Sequence, residues 1–565
     1  MNSSILNISI STTDANNAVA YVEDNIVPEI ERIEGVADVE MVEQERTSYS
    51  RQNGEENISI SVTKEQDGNT VSICNQIEEL VNEFNADSSL GLTLEIISNS
   101  GEDIYDNIMS VVTSLIEGLV IAALVLVFFF GEWKSSFIVG VTMPISVLAA
   151  LILMAAFDMS INLMSLGGLV VGIGMMVDSS IVVIDSCFKS TEDGMDYVDA
   201  VHVGANLVFS SIVASTATTV VVFLPIAMMD GMSGQLFRDV CYTIVFSLLA
   251  SMLGALTLVP LLFVKMRPRE KLTSRSHVMM HALEGKYEAL LRRALRARKT
   301  VVASAIACLA IAGFLFTQID MELMPAGSTN TISVSVETRS GLDLENTNAI
   351  MEEIESMISE DPDVESYSLR VSGGGGGMDM MNSEFGSIGK ALLIAVYLVF
   401  AVMAIQFESV IFSLVVLFSI PFSLTGAFLA LYITGSSISM TSLIGLVMLA
   451  GIVVNNAIVL VDYAGTLRRE GMEVHEALVT AGKRRLRPIL MSSLTTIVGL
   501  IPMAAGFGGE VEMMQGMAVV VIGGLSLSTV LTLVLIPTFY LIFDREDRNN
   551  RRMQRKIARE VSSAQ

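Results

Sequence analysis

Pairs of matching residues recur along this chain at one fixed spacing of 277. Pro144 answers Pro421, Gly174 answers Gly451, Asp185 answers Asp462, Thr218-Thr219 answer Thr495-Thr496, Pro225 answers Pro502 and Pro260 answers Pro537. A single register held across five apolar segments signals an internal duplication. Before any one segment is read, the offset predicts two parallel copies of a five-segment unit, related by an axis along the membrane normal. That plan is associated with transporters.

The membrane placement comes from the apolar residues, which make up 52% of the 565 and fall in blocks of about 20, the length a bilayer-crossing helix needs. Spans are predicted at about 110–130, 135–157, 161–187, 207–229, 237–264, 300–316, 388–405, 409–435, 439–465, 487–506 and 514–543. The fold class is thus a mainly α membrane protein of about eleven transmembrane helices in two pseudo-symmetric repeats, with small extracytoplasmic α+β subdomains. In the first, strands at 4–10, 36–43, 57–63 and 92–98 alternate with helical patterns at 14–32 and 70–86 as two βαβ-like units, separated by the polar break 48–54. The predicted divisions are an α+β region 1–106, the first repeat 107–264, a connector 265–299, a span 300–316, a partial α+β region 317–387 with the glycine run Gly373 to Gly377, the second repeat 388–543 and a charged tail 544–565.

A net charge of −27 is strongly segregated. Residues 1–106 hold 22 acids and four bases, whereas residues 265–299 hold eleven bases and three acids. Loops rich in Lys and Arg stay on the cytoplasmic side, so the acidic regions are expected outside and the C-terminus inside. The basic stretch His277 to Arg298 reads as an amphipathic helix on the cytoplasmic surface. An acidic region of this size outside the cell needs a signal peptide or a preceding span, and the chain reads as though its true start is missing. A basic folded surface of the kind nucleic acid requires is not predicted.

The chemistry concentrates in Gly174-Met-Met-Val-Asp178-Ser-Ser-Ile-Val-Val-Ile-Asp185. Its two acids are seven residues apart, nearly two helical turns, and so share one face. An acid at bilayer depth costs about 2.5 to 3.5 kcal/mol on insertion scales, so one that is kept there marks ion or substrate work. Where the duplication reaches this stretch it breaks, for Asp178-Ser179 is answered by Asn455-Asn456. Facing copies of the segment would set one carboxylate against two amides, able to load and release a proton. Ser179, Ser492, Thr218, Thr219, Thr495 and Thr496 add hydroxyls, and Arg485, answered by Val208 in the other half, is the nearest candidate cation. Taken singly, each Asn, Ser or Thr is better read as hydrogen-bonding neighbouring helices; it is Asp178 that points to function. Asp185 and Asp462, nearer the cytoplasm, are secondary candidates.

Other residues argue for nothing further. Cys74, Cys187, Cys241 and Cys308 show no paired spacing, the four histidines are scattered, and the methionine cluster Met378, Met380 and Met381 reads as filler and loop composition. No metal site is predicted. With no nucleophile-base pair or phosphate loop, a catalytic enzyme is not expected.

The stretch from Gly174 to Asp185, together with Val454 to Asp462 and Arg485-Leu-Arg-Pro-Ile-Leu-Met-Ser492-Ser-Leu-Thr495, closely resembles the resistance-nodulation-division (RND) superfamily, in its hydrophobe and amphiphile efflux branch. The resemblance implies that Asp178 carries the coupling proton, that Arg485 and Ser492 assist the relay, and that the α+β regions are porter-like. It implies a homotrimer in the cell's inner membrane, an adaptor protein as partner, small amphiphilic substrates, and no cofactor beyond the proton gradient. The chain departs from the family at Ser179, where many members have a second acid, and at Asn455, where they have a lysine. The first span, the docking domains and much of the porter region are expected to be absent, so no direct contact with an outer-membrane channel is predicted. Proton-coupled efflux of hydrophobic or amphiphilic compounds, by a shortened form of such a pump, is the leading expectation. A transport-inactive scaffold or gene remnant, and a relative that exports lipid or assists protein translocation, are the alternatives.

Overall fold

The computed structural model describes residues 4–11, 26–32, 36–41, 49–52, 55–56, 58–64, 69–86, 93–192, 194–229, 232–268, 275–322, 350–351, 354, 356–357, 368–371, 377–506 and 512–544. It divides into two compact units, Met1–Met109 with Asn330–Met380, and Ser110–Thr329 with Met381–Gln565.

The smaller unit is α+β. Its main sheet is built from β1 (Ser4–Ser11), β2 (Val36–Met41), β5 (Ile58–Lys64) and β6 (Thr93–Asn99), with α1 (Val27–Glu31) and α2 (Thr70–Ala86) between strands. The strand order is β2-β5-β1-β6 and every neighbouring pair is antiparallel. The expected βαβ units are therefore split: each helix carries the chain over an intervening strand, so β1 and β2 flank β5 and do not pair with each other. Ile73, Cys74, Ile77 and Val81 form the buried stripe of α2 and meet Ile60, Val62, Leu94, Ile26 and Ile30. Asn69 caps α2, its side-chain oxygen accepting from the Ser72 amide at 3.1 Å. Asn85 ties the other end to β6 through both its amide atoms and the Leu94 backbone, at 2.8 and 2.9 Å. The polar break at 48–54 contains β3 (Tyr49–Gln52), which with β4 (Glu55–Glu56) and β7 (Ser368–Val371) makes a second antiparallel sheet, β4-β3-β7. Most of the helix expected at 14–32 and of the region expected at 330–371 lies outside the described residues, as does 373–376 of the glycine run.

The larger unit is a helical bundle. Its first half holds α4 (Trp133–Ala156), α5 (Leu163–Glu192), α6 (Tyr197–Ala227) and α7 (Met232–Met266), preceded by α3 (Ser100–Phe130), which begins in the smaller unit. Then come α8 (Arg275–Arg296), α9 (Arg298–Phe316) and α10 (Gly377–Gln406). The second half is α11 (Val410–Leu417), α12 (Ser419–Thr434), α13 (Met440–Arg469), α14 (Val474–Gly499), α15 (Ile501–Ala504) and α16 (Glu512–Phe543). Among the described residues ten helical stretches are long and apolar enough to cross a membrane. The eleventh expected span, 487–506, is not one continuous helix: after Arg487 the helix runs only to Gly499, and Pro502, which has no backbone N–H, opens the separate α15. Likewise the span expected at 409–435 divides at Phe418, just ahead of Pro421. Met378, Met380 and Met381 lie in the helical backbone of α10 and not in a loop.

Helix neighbours recur between the halves. In the first, α7 packs on α4, α5 and α6; in the second, α16 packs on α12, α13 and α14. Across the seam, α13 packs on α6 and α14 packs on α5. The inner helices are α5 and α13, each 89% buried along its apolar stretch, against 17% for α9. The start of α13 is fixed by a capping box, Ser439 and Ser442 each accepting from the other's backbone amide, at 3.2 and 2.7 Å. Gly435, at φ 69°, closes α12 in the left-handed conformation that glycine adopts without strain.

Candidate functional site

The two cross-seam contacts bring the break in the duplication to the centre of the bundle. Asp178, midway along α5, faces Asn455, midway along α13, and the Asn455 Nδ2 donates to the Asp178 Oδ2. The Ser492 hydroxyl of α14 lines the same cavity, near enough to act on this carboxylate. Around them lies a cavity of about 30 Å³, by volume room for about two water molecules, lined also by Ser179, Asn456, Thr219 and Thr496. The Asn455 Oδ1 is buried and has no hydrogen-bond partner. A buried amide oxygen in this position is an acceptor held ready, and such exceptions call for a functional reason.

Close helix approach makes the arrangement tight. A side chain at Gly174 would put its Cβ 2.8 Å from Thr496 Cγ2, and the mirrored contact sets the Gly451 position 3.3 Å from Thr219 Cγ2. Each glycine of one half thus receives a threonine of the other. The Thr496 hydroxyl donates across the seam to the Gly174 carbonyl at 2.6 Å. Asn456 turns to a different partner, donating to Ser493 at 3.2 Å, and Ser493 accepts from Thr529 at 2.9 Å, which ties α13, α14 and α16 together.

Of the residues singled out in the sequence, Asp178, Ser179, Asn455, Asn456, Ser492, Thr219 and Thr496 converge on this cavity. Thr218 and Thr495 do not line it; their hydroxyls return to their own helices, to Ala214 at 2.8 Å and Met491 at 2.7 Å. Arg485 is placed against the Tyr463 ring, 4.8 Å from its centroid, where its charge acts on Asp462 and not as the hydrogen-bonded partner of Asp178. Asp185 pairs with Lys189 one turn along and lines a different cavity, of about 540 Å³, shared with α8. Ser215 and Thr216 of α6 also line the central cavity and were not singled out. The signal was present, because the offset of 277 carries Ser215 onto Ser492 and Thr216 onto Ser493. Among the described residues no three His, Cys, Asp or Glu side chains stand together as a metal site.

Outside the spans, α8 is held to α14 by charge. Arg292 pairs with Glu476 at 2.7 Å and with Glu288 at 3.2 Å, and Lys483 pairs with Glu288 at 3.1 Å. The hydrogen bond from Lys483 holds the Glu288 carboxyl below the usual range, as that from Arg292 does for Glu476. Tyr287 reaches further in, its hydroxyl donating to the Leu533 carbonyl at 2.8 Å, against the bare face of Gly482.

Comparison with known proteins matches residues 2–389 and 376–544 to the AcrB/AcrD/AcrF family. The chain is 24% identical to the swarming motility protein SwrC of Bacillus subtilis, over 87% of this chain and 70% of that one. It is 36% identical to the cobalt-zinc-cadmium resistance protein CzcA of Cupriavidus metallidurans, over 31% of this chain and 16% of that one. With the multidrug resistance protein MdtC of Proteus mirabilis it shares 38% identity over 30% of its own length and 17% of the relative's. With a match that runs along nearly all of its length and, among the described residues, ten helical stretches apolar enough to cross a membrane, the chain is a multi-pass membrane protein of the AcrB/AcrD/AcrF family of RND permeases.

Proposed function

We propose that this chain is the proton-coupled membrane part of an exporter of hydrophobic or amphiphilic compounds, with Asp178 as the proton carrier. The observation that carries the reading is the Asn455–Asp178 hydrogen bond, made across the seam between the two halves. A carboxylate there needs donors; Asn455 supplies one, and the Ser492 hydroxyl stands at the same cavity as a second. A carboxylic acid needs an acceptor, and turning the Asn455 amide over brings its unpartnered oxygen to the proton. One side chain therefore serves both protonation states, and each state favours a different setting of α5 against α13. Loading and unloading the proton then shifts one half against the other, which is alternating access by rigid-body rocking.

Lysine and arginine collect at the α8 end of the bundle, which is therefore the cytoplasmic end in this reading. The inner membrane, a homotrimeric assembly and an adaptor partner belong to the same proposal, as does the proton gradient in place of any cofactor. The name of MdtC, a multidrug resistance protein, supports small apolar cargo. The test is dye or drug efflux from proteoliposomes under an imposed pH gradient. Wild-type chain is expected to move substrate and Asp178→Asn to lose gradient-driven movement; equal efflux by the two defeats the coupling role. No movement by either, in a protein that is folded, is the outcome a transport-inactive scaffold predicts.

A further inference from the structure

The polar seam does not end at the central cavity. On α13, Asp462 follows Asn455 by seven residues; on α14, Arg485 precedes Ser492 by seven; on α6, Ser211 precedes Ser215 by four. Intervals of seven and four are about two turns and one turn, so each helix repeats its polar contribution on the same face, nearer the α8 end. The three groups meet there. The Ser211 side chain and the charges of Arg485 and Arg469 all act on Asp462. Arg485 is itself buried, stacked on Tyr463, and its Nε has no hydrogen-bond partner.

Asp462 also lines a cavity of about 280 Å³ at this end, with Arg468, Arg469, Tyr540 and Asp544. It therefore stands between the Asp178 cavity and a much larger one. The aspartate at the matching place in the other half is differently held: Asp185 is locked to Lys189, whereas the position matching Lys189 in the second half is Thr466, whose hydroxyl bonds back to the Asp462 carbonyl at 3.1 Å. The position matching Arg485 is Val208. Only the second half leaves its carboxylate without an ion pair on the next turn.

We propose that Asp462 is a second proton station, through which protons pass between Asp178 and the cavity at the α8 end, with Arg485 as its positioning residue. The inference rests on the reading of Asp178 as the proton carrier. Asp462 lies about 10 Å along α13 from Asn455, the partner of Asp178, too far for direct transfer, so the step runs through water and the Ser215 and Ser211 hydroxyls. The O–H bond at Asp178 breaks as one forms at Asp462; Asp462 then releases its proton to water in the larger cavity. Arg485 keeps its charge throughout. The other groups facing Asp462 are Arg468 and Arg469 on its own helix, Tyr540 on α16 and Asp544 just past its end, of which Arg468 and Asp544 are paired at 3.2 Å.

The experiment uses the full chain in lipid nanodiscs, following the carboxyl stretching bands by infrared spectroscopy after a pH jump. Asp462→Asn is expected to remove one protonating band and to slow protonation at Asp178 about a hundredfold, while Asp462→Glu restores both. Arg485→Gln, which leaves the carboxylate in place, is expected to slow the same step and keep the band. Wild-type bands and rates in Asp462→Asn overturn the inference, and so does a slowed rate that Asp462→Glu fails to restore. Gradient-driven transport separates the two readings. If Asp178→Asn stops it and Asp462→Asn exchanges protons normally, only the second station falls; if Asp178→Asn transports as wild type, the parent reading falls and takes this one with it.

Discussion

Asn455 and Asp178 occupy the same place in the two halves of the duplication, 277 residues apart, and they touch each other. Equivalent positions meet in this way only where a two-fold relation passes between them. A substitution here in one half therefore directly changes the surroundings of its own counterpart.

Removing the amide should leave the carboxyl group short of a donor without altering the helix. Asn455→Leu is expected to destabilise the bundle by about 1.5 to 3 kcal/mol, the range for a hydrogen bond to a charged group. Thermal unfolding in detergent, read against Asn455→Gln, checks it; an unchanged midpoint would mean that the bond contributes nothing.

The reciprocal glycines should respond unequally. Gly174→Ala places a methyl 2.8 Å from Thr496 Cγ2 and 3.2 Å from the α14 backbone, where nothing can yield without moving the helix. Its cost is expected at about 1 to 3 kcal/mol, the overpacking range. Gly451→Ala meets its nearest neighbour at 3.3 Å and should cost less. Pairing Gly174→Ala with Thr496→Ser, which removes the offending methyl, should recover most of the loss.

Docking of α8 should weaken in acid. Glu288 and Glu476 have carboxyl groups held below the usual range, so their contribution is complete above the unfolded-state value, about 4.3, and is lost as pH falls through the lower folded value. Amide hydrogen exchange across residues 275–296 should therefore rise below about pH 4 and also rise with salt. Because these side chains are well exposed, Arg292→Ala should cost less than about 1 kcal/mol.

Tyr287 should matter more than any of those ion pairs taken alone. Its hydroxyl is buried, and Tyr287→Phe leaves the Leu533 carbonyl without its donor at a cost of about 1 to 3 kcal/mol. Gly482→Leu should be worse, since it fills the space the ring occupies; limited proteolysis within α8 would report its release.

Much of this arrangement was legible in the sequence because the duplication is a long-range signal. It paired Asp178 with Asn455 and Gly174 with Gly451 without any knowledge of packing. It did not say which helix faces which: that Gly174 receives Thr496, while Thr218 and Thr495 turn back on their own helices, depends on rotation about each helix axis, and apolar spans carry little periodicity to fix it. The direction taken by Arg485 was illegible for a related reason. Its position along the chain set its depth, but its long side chain lies on Tyr463, toward Asp462. In the smaller unit, strand positions were readable from alternation, whereas the order β2-β5-β1-β6 is a property of pairing between distant segments that no local pattern encodes.

The amide at position 455 has an electrical consequence. Where a lysine would leave the centre of the seam neutral when empty and positive when loaded, asparagine leaves it negative when empty and neutral when loaded. A membrane voltage acts on charge, at about 2.3 kcal/mol per elementary charge for each 100 mV crossed. In a cycle driven through Asp178, voltage would therefore pull on the unloaded return and leave the loaded stroke to the concentration difference alone.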